Sequence, residues 1–197
     1  MNVKRPPRSK SNFIFGALLF LSVLTLLFLT VFQSKVDSTD ETLKSKFALL
    51  SGTHTNFCAG PAYISSKSDS DRLQGSCCSA MNFNSYVEQV EGLKKYSDVP
   101  QIPSDPYDIP VSLAKELLGY KDSIRLTSEQ QQLYDEAMNM SHEGGPCCCK
   151  CWRWDAFEGQ AKFLITQHNY SAAQIAKVWD LEDGCGGGAH HEPGTSG

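Results

Sequence analysis

Twenty consecutive residues, Phe13 to Phe32, carry no charge, and fifteen of them are Phe, Ile, Leu or Val. At about 1.5 Å rise per residue a helix of that length spans about 30 Å, the hydrocarbon thickness of a bilayer. Each such side chain favours insertion by roughly 0.3–0.6 kcal/mol, and together they outweigh the opposing Gly16, Ser22, Thr25 and Thr30. A buried core helix would keep a polar stripe, which this run lacks. Residues 13–32 are therefore expected to form a single transmembrane helix, with the lipid bilayer as its partner.

Charge sets the expected orientation. Lys4, Arg5, Arg8 and Lys10 precede the run, and no acidic residue occurs among residues 1–12. The positive-inside rule then leaves this basic N-terminus in the cytoplasm and the rest of the chain outside it, as a single-pass protein of the cell membrane. A cleaved signal peptide is the competing reading. It would have a shorter apolar region and a small-x-small site, where this chain has Val31, Phe32, Gln33 and Ser34. A signal anchor fits better.

Beyond the anchor the chain turns acidic. The whole sequence has 18 basic and 22 acidic residues, so without the four N-terminal cations 14 basic residues face the same 22. That balance argues against nucleic acid as a partner. Residues 33–56 are polar and read as a stalk, 57–185 as a small cysteine-rich domain, and 186–197 as a flexible tail.

The domain's patterning is helical. Phe83, Tyr86, Val87, Val90 and Leu93 recur at helical spacing, with Asn82 or Ser85 as a cap. Pro100, Pro103, Pro106 and Pro110 interrupt regular structure until a short helix from about Pro110 to Leu118, ended by Gly119. Thr127 with Gln130 forms a capping box before Leu133, Tyr134, Ala137 and Met138. Asp155 with Glu158 is expected to open the next helix, and Ser171 with Gln174 the last, which carries Ile175, Val178 and Trp179. The expected fold is mostly α, small and loop-rich.

All eight cysteines follow the apolar run: Cys58, Cys77, Cys78, Cys147, Cys148, Cys149, Cys151 and Cys185. In an extended segment Cys147, Cys149 and Cys151 would share one face and Cys148 the other. Three converging thiols suit a soft, low-coordination ion such as copper(I), or three corners of a zinc site. Lys150, Arg153 and the start of a helix near Asp155 favour the thiolate form. Trp152 and Trp154 either shield such a site or anchor the core. Cys77 and Cys78 add two thiols, joined by the Met81 thioether if that segment is helical, and Cys185 can complete either cluster. Cys58, with His54 nearby, has no obvious place. His142 and His168 are weak ligand candidates, and His190 and His191 fall in the expected tail.

Residues Pro146 to Cys151 resemble the motif of an uncharacterised bacterial family of exported, anchored proteins named for its Pro-Cys-Tyr-Cys-Gly-Cys sequence. Pro146, Cys147, Cys149 and Cys151 match, whereas Cys148 and Lys150 stand where that family has Tyr and Gly. The resemblance implies a cell-envelope protein and no particular reaction.

Three functions compete at this stage. One is soft-metal binding, copper or zinc, through Cys147, Cys148, Cys149, Cys151, Cys77, Cys78 and Cys185, as chaperone, buffer or sensor. The second is a disulfide-stapled module that engages another envelope protein, since exported cysteines commonly oxidise. The third is a thiol–disulfide oxidoreductase. It is weakened because the C-x-x-C spacing at Cys148 to Cys151 lies in no βαβ setting. Hydrolase and nucleotide-binding motifs are missing, so an enzyme is not the expected reading.

Overall fold

The computed structural model describes residues 41–186. The expected membrane span at 13–32 and the two histidines of the tail lie outside them. Among the described residues no helix is long and apolar enough to cross a membrane. The chain divides into two compact units, Met1–Ser45 and Lys46–Gly197. In the first, residues 41–45 are helical. The second is described below.

Its elements are helical residues 46–51 (α1), α2 (Pro61–Ser65), β1 (Arg72–Gln74), α3 (Phe83–Leu93), a 3-10 turn (Lys94–Tyr96), β2 (Asp108–Pro110), α4 (Val111–Ser123), α5 (Ser128–Met140), α6 (Trp152–His168) and α7 (Ala172–Glu182). The unit is mostly helical, as expected. Its start at Lys46 falls inside the stretch read as a stalk, where Leu50 and Asn56 are buried.

Local chemistry accounts for three helix starts. Asn82 accepts a hydrogen bond from the Ser85 amide and so caps α3. Thr127 with Gln130, and Ser171 with Gln174, close complete capping boxes. Two boundaries differ from the sequence reading. α4 continues through Gly119, because Leu118 and Tyr120 on either side pack on the core and offset the roughly 1 kcal/mol cost of a helical glycine. α6 begins at Trp152 rather than Asp155. The expected capping carboxylates are engaged elsewhere: Asp155 pairs with Lys121 of α4, and Glu158 with Lys162 at 2.8 Å.

β1 and β2 form a two-stranded antiparallel ribbon, with Leu73 opposite Ile109 and both fully buried. Asn56 is tied to the end of β1, its side-chain amide donating to the Gly75 carbonyl at 2.9 Å. Lys46 in α1 pairs with Asp105 at 2.9 Å, and the Tyr86 hydroxyl donates to the same carboxylate at 3.0 Å. These contacts hold α1, the ribbon and α3 together.

α6 is the central helix, with buried residues on most of its length. It lies close against α4 at Gly159, where a Cβ would overlap the Leu117 carbonyl and crowd the Lys121 amide. Tyr134 of α5 meets Trp179 of α7 edge to face, with ring centroids 5.5 Å apart. Between α6 and α7, the buried Gln160 amide donates to the Gln101 carbonyl at 2.8 Å and to the Glu182 carboxylate at 2.6 Å. Burial pushes the Glu182 carboxyl up to about 8, against the opposing pull of Gln160 and Arg153.

Gly159→Ala should therefore destabilise the domain by about 1–3 kcal/mol in chemical denaturation, through overpacking against backbone that has no rotamer escape. Glu182 generates a second expectation. Its folded-state value lies above the ordinary 4.5, so the folded chain keeps a proton that the unfolded chain has released. Stability from this group is fullest below about pH 4.5 and is lost as pH rises through about 8. In Glu182→Gln, melting temperature should fall less steeply than in the wild type across that interval.

Candidate metal centre

Four separate stretches of chain bring the cysteines to one end of the domain. The Trp152 amide donates to the Ala59 carbonyl at 2.7 Å, which docks the Cys58 segment against the start of α6. The 77–82 segment pairs with residues 184–186, which follow α7. Cys77 N–H donates to the Gly184 carbonyl at 3.2 Å, Ser79 N–H to Cys185 at 3.0 Å, and Asn82 N–H to Gly186 at 3.1 Å. The fourth stretch, 147–151, bends back on itself as the Cys151 amide donates to the Cys149 carbonyl at 2.9 Å. Cys151 then serves as the N-cap residue of α6.

All eight cysteines are free thiols, and all eight converge. The Sγ–Sγ separations are 3.6 Å for Cys147–Cys185, 3.8 Å for Cys77–Cys185, 3.8 Å for Cys78–Cys148 and 3.5 Å for Cys77–Cys78. Cys58 and Cys149 come closest, at 2.9 Å. Three sets of thiols each lie within 4.8 Å of one another: Cys58, Cys78 and Cys149; Cys77, Cys78 and Cys185; Cys147, Cys148 and Cys149. Cys151 packs with Cys147 and Cys185 in the buried part of the cluster.

The donor set fits a soft ion. A tetrahedral ion with metal–sulfur bonds of about 2.3 Å holds its sulfurs about 3.8 Å apart, and a trigonal one slightly further. Most of the separations above fall at that spacing, well beyond the roughly 2.05 Å of a disulfide bond.

Beneath the thiols lies Arg153, fully buried. One guanidinium nitrogen donates to the Pro106 and Glu182 carbonyls at 2.9 and 2.8 Å, while Nε and Nη1 have no hydrogen-bond partner. The rings of Trp152 and Phe157 lie 5.5 and 5.2 Å from the guanidinium carbon. Among the described residues no carboxylate stands within ion-pair distance of it. Gly184 packs directly on the guanidinium, where a Cβ would overlap it. Burial works against the Arg153 charge, but negative charge on Cys77 and Cys147 above all, and on Asp183, holds its pKa above the ordinary value.

The thiols share protons unevenly. Hydrogen bonds from Cys147 and Cys185 bring Cys77 down to about 5, with the Arg153 charge adding to them. Cys151 and Cys185 bring Cys147 down to about 7. The donating partners move the other way: Cys185 and Cys151 are pushed up, first by their bonds to Cys147, and Cys149 first by burial. Burial also raises Cys78 and Cys148.

The structure thus brings together all seven cysteines predicted as ligands and adds Cys58, which sequence reading left without a place. Three other expectations change. Residues 147–151 are bent rather than extended, so the consecutive Cys147, Cys148 and Cys149 converge instead of alternating. The 77–81 segment is not helical, and Met81 lines an open cavity of about 450 Å³ with His54, Phe57, Cys77 and Cys78. Of the two cations expected to act alike, Lys150 lies over the Trp154 ring at 5.2 Å, and Arg153 alone is buried. Trp152 is a core anchor, whereas Trp154 packs on the thiols. His142 pairs with Asp180, and His168 packs between Phe163 and Tyr170. Comparison with known protein families, curated proteins and solved structures finds no match.

Proposed function

We propose that this chain is a membrane-anchored extracytoplasmic protein that binds a soft metal ion of the copper or zinc class through clustered thiolates, as a chaperone, buffer or sensor. The observation that carries the reading is the convergence of eight free thiols, with Cys77, Cys78, Cys147, Cys148 and Cys185 paired at sulfur separations suited to metal coordination. Arg153 supports it. A buried guanidinium without a carboxylate partner is poorly accommodated unless the groups above it carry negative charge, and metal thiolates keep that charge permanently. Ions of this class supply tight bonding to deprotonated sulfur, so loading releases thiol protons. The apolar run at 13–32, the cations that precede it, and the likeness of Pro146–Cys151 to an exported family support the location.

One observation favours a second reading. The 2.9 Å approach of Cys58 to Cys149 is short for two unbonded sulfurs, and places these thiols where oxidation would join them with little movement. Four such bonds would make the domain a disulfide-stapled module for another envelope protein.

Two experiments separate the readings. Elemental analysis of the full-length chain, purified anaerobically from its native membrane with a parallel thiol count, should find bound copper or zinc and thiols that alkylate only after chelation. Metal-free protein with every cysteine bridged would exclude metal binding. Arg153→Met tests the charge balance. It should weaken metal affinity by about tenfold or more, since removing one partner of a buried charge pair costs a few kcal/mol. In a disulfide-bonded domain without thiolates the same substitution should be neutral or stabilising, because a buried cation has been removed.

A further inference from the structure

The thiols differ in exposure, and the difference follows their grouping. Cys147, Cys151 and Cys185 are 1 %, 3 % and 2 % exposed, and the half-buried Cys77 packs against them. Cys58, Cys78 and Cys148 are exposed, and Cys149, half-buried like Cys77 and packed on the same buried sulfurs, lies within 4.8 Å of Cys58 and Cys78 and of Cys148. Three buried and three exposed sulfurs thus define an inner and an outer group, which the two half-buried ones join through a close sulfur on another stretch of chain, Cys77 through Cys185 at 3.8 Å and Cys149 through Cys58 at 2.9 Å. Within the inner group, Cys185 stands 3.6 Å from Cys147 and 3.8 Å from Cys77. Within the outer group, Cys149 stands 2.9 Å from Cys58, and Cys148 stands 3.8 Å from Cys78. Neighbouring residues join the groups, with Cys77 and Cys78 at 3.5 Å and Cys147 in one set with Cys148 and Cys149.

The surroundings differ as well. The inner group sits by Arg153, where residues 184–186, the 77–82 segment and the start of α6 meet. Cys147, Cys151 and Cys185 are closed off from solvent, while Cys77 lines the cavity beside Cys78. The outer group borders the cavity of about 450 Å³ at Cys78, where the His54 imidazole and Met81 thioether offer further ligands to an arriving or departing ion.

We propose that the centre holds two ions with separate tasks: an inner ion on Cys77, Cys147, Cys151 and Cys185 that is retained and locks the fold, and an outer ion on Cys58, Cys78, Cys148 and Cys149 that exchanges with the surroundings. This rests on the thiolate–metal reading above. The outer ion is the one delivered, buffered or sensed. Release needs only a competing soft ligand to displace thiolates one at a time, each taking up a proton as it is freed.

Cadmium(II), a soft ion with an NMR-active isotope, is the probe. The reduced full-length chain should bind two equivalents and give two resonances. On addition of excess EDTA one resonance should disappear early, and the other should decay roughly tenfold or more slowly, because its loss requires local opening. The double variant Cys58→Ser, Cys78→Ser should bind one equivalent and keep the slowly lost resonance. One ion per wild-type chain, or two lost at the same rate, would overturn the two-task centre while leaving metal binding intact. Loss of the slow resonance in the double variant would overturn it too. No cadmium bound by reduced protein would remove both readings together.

Discussion

Arg153 occupies a position from which it cannot retreat to water, and both the fold and the thiol cluster are arranged around that fact. Burying an unpaired guanidinium costs several kcal/mol. The chain offsets this with two backbone carbonyls from separate segments, Pro106 and Glu182, with two aromatic faces and with the thiols above. Each partner comes from a different part of the sequence, so satisfying one side chain requires the ribbon region, the end of α7 and the start of α6 to meet. Gly184 completes the fit by bringing backbone against the guanidinium where any side chain would overlap it.

The same convergence explains how cysteines far apart in sequence come together. Cys58, Cys77 with Cys78, the 147–151 bend and Cys185 reach the site through backbone hydrogen bonds to their neighbours, to Ala59, Gly184, Cys185 and Gly186. The helical scaffold therefore bears part of the ordering cost of the ligands. A site assembled in this way exists only in the folded chain, so any ion it held would be linked to folding. The uneven proton sharing among the thiols follows from the same crowding. Sulfurs this close cannot all ionise without a cation among them, and Arg153 supplies only one charge.

Much of the helical framework was legible from local signals. The capping boxes at Thr127 and Ser171 and the apolar stripe from Phe83 to Leu93 depend on neighbours within one or two turns, which sequence displays directly. The start of α6 is not legible in this way, because Asp155 and Glu158 have the spacing of capping residues but pair with lysines, one of them in α4. The β ribbon was not anticipated. Its strands are three residues long, too short for an alternating pattern, and they exist only because Leu73 and Ile109 meet in the core. At the site, Cys147 to Cys151 stood out by density alone, while Cys58 had no neighbour in sequence to mark it.

The number and kind of sulfur donors, the helical class of the domain and the long apolar run with cations before it are properties of composition or short-range spacing, and are set before the chain folds. That Cys58 joins the cluster, that Arg153 is buried while Lys150 is not, and that some thiols are covered and others exposed arise only on folding. Those outcomes depend on which surfaces long-range packing removes from water. A cysteine carries no mark of its depth until the segments around it have found their partners.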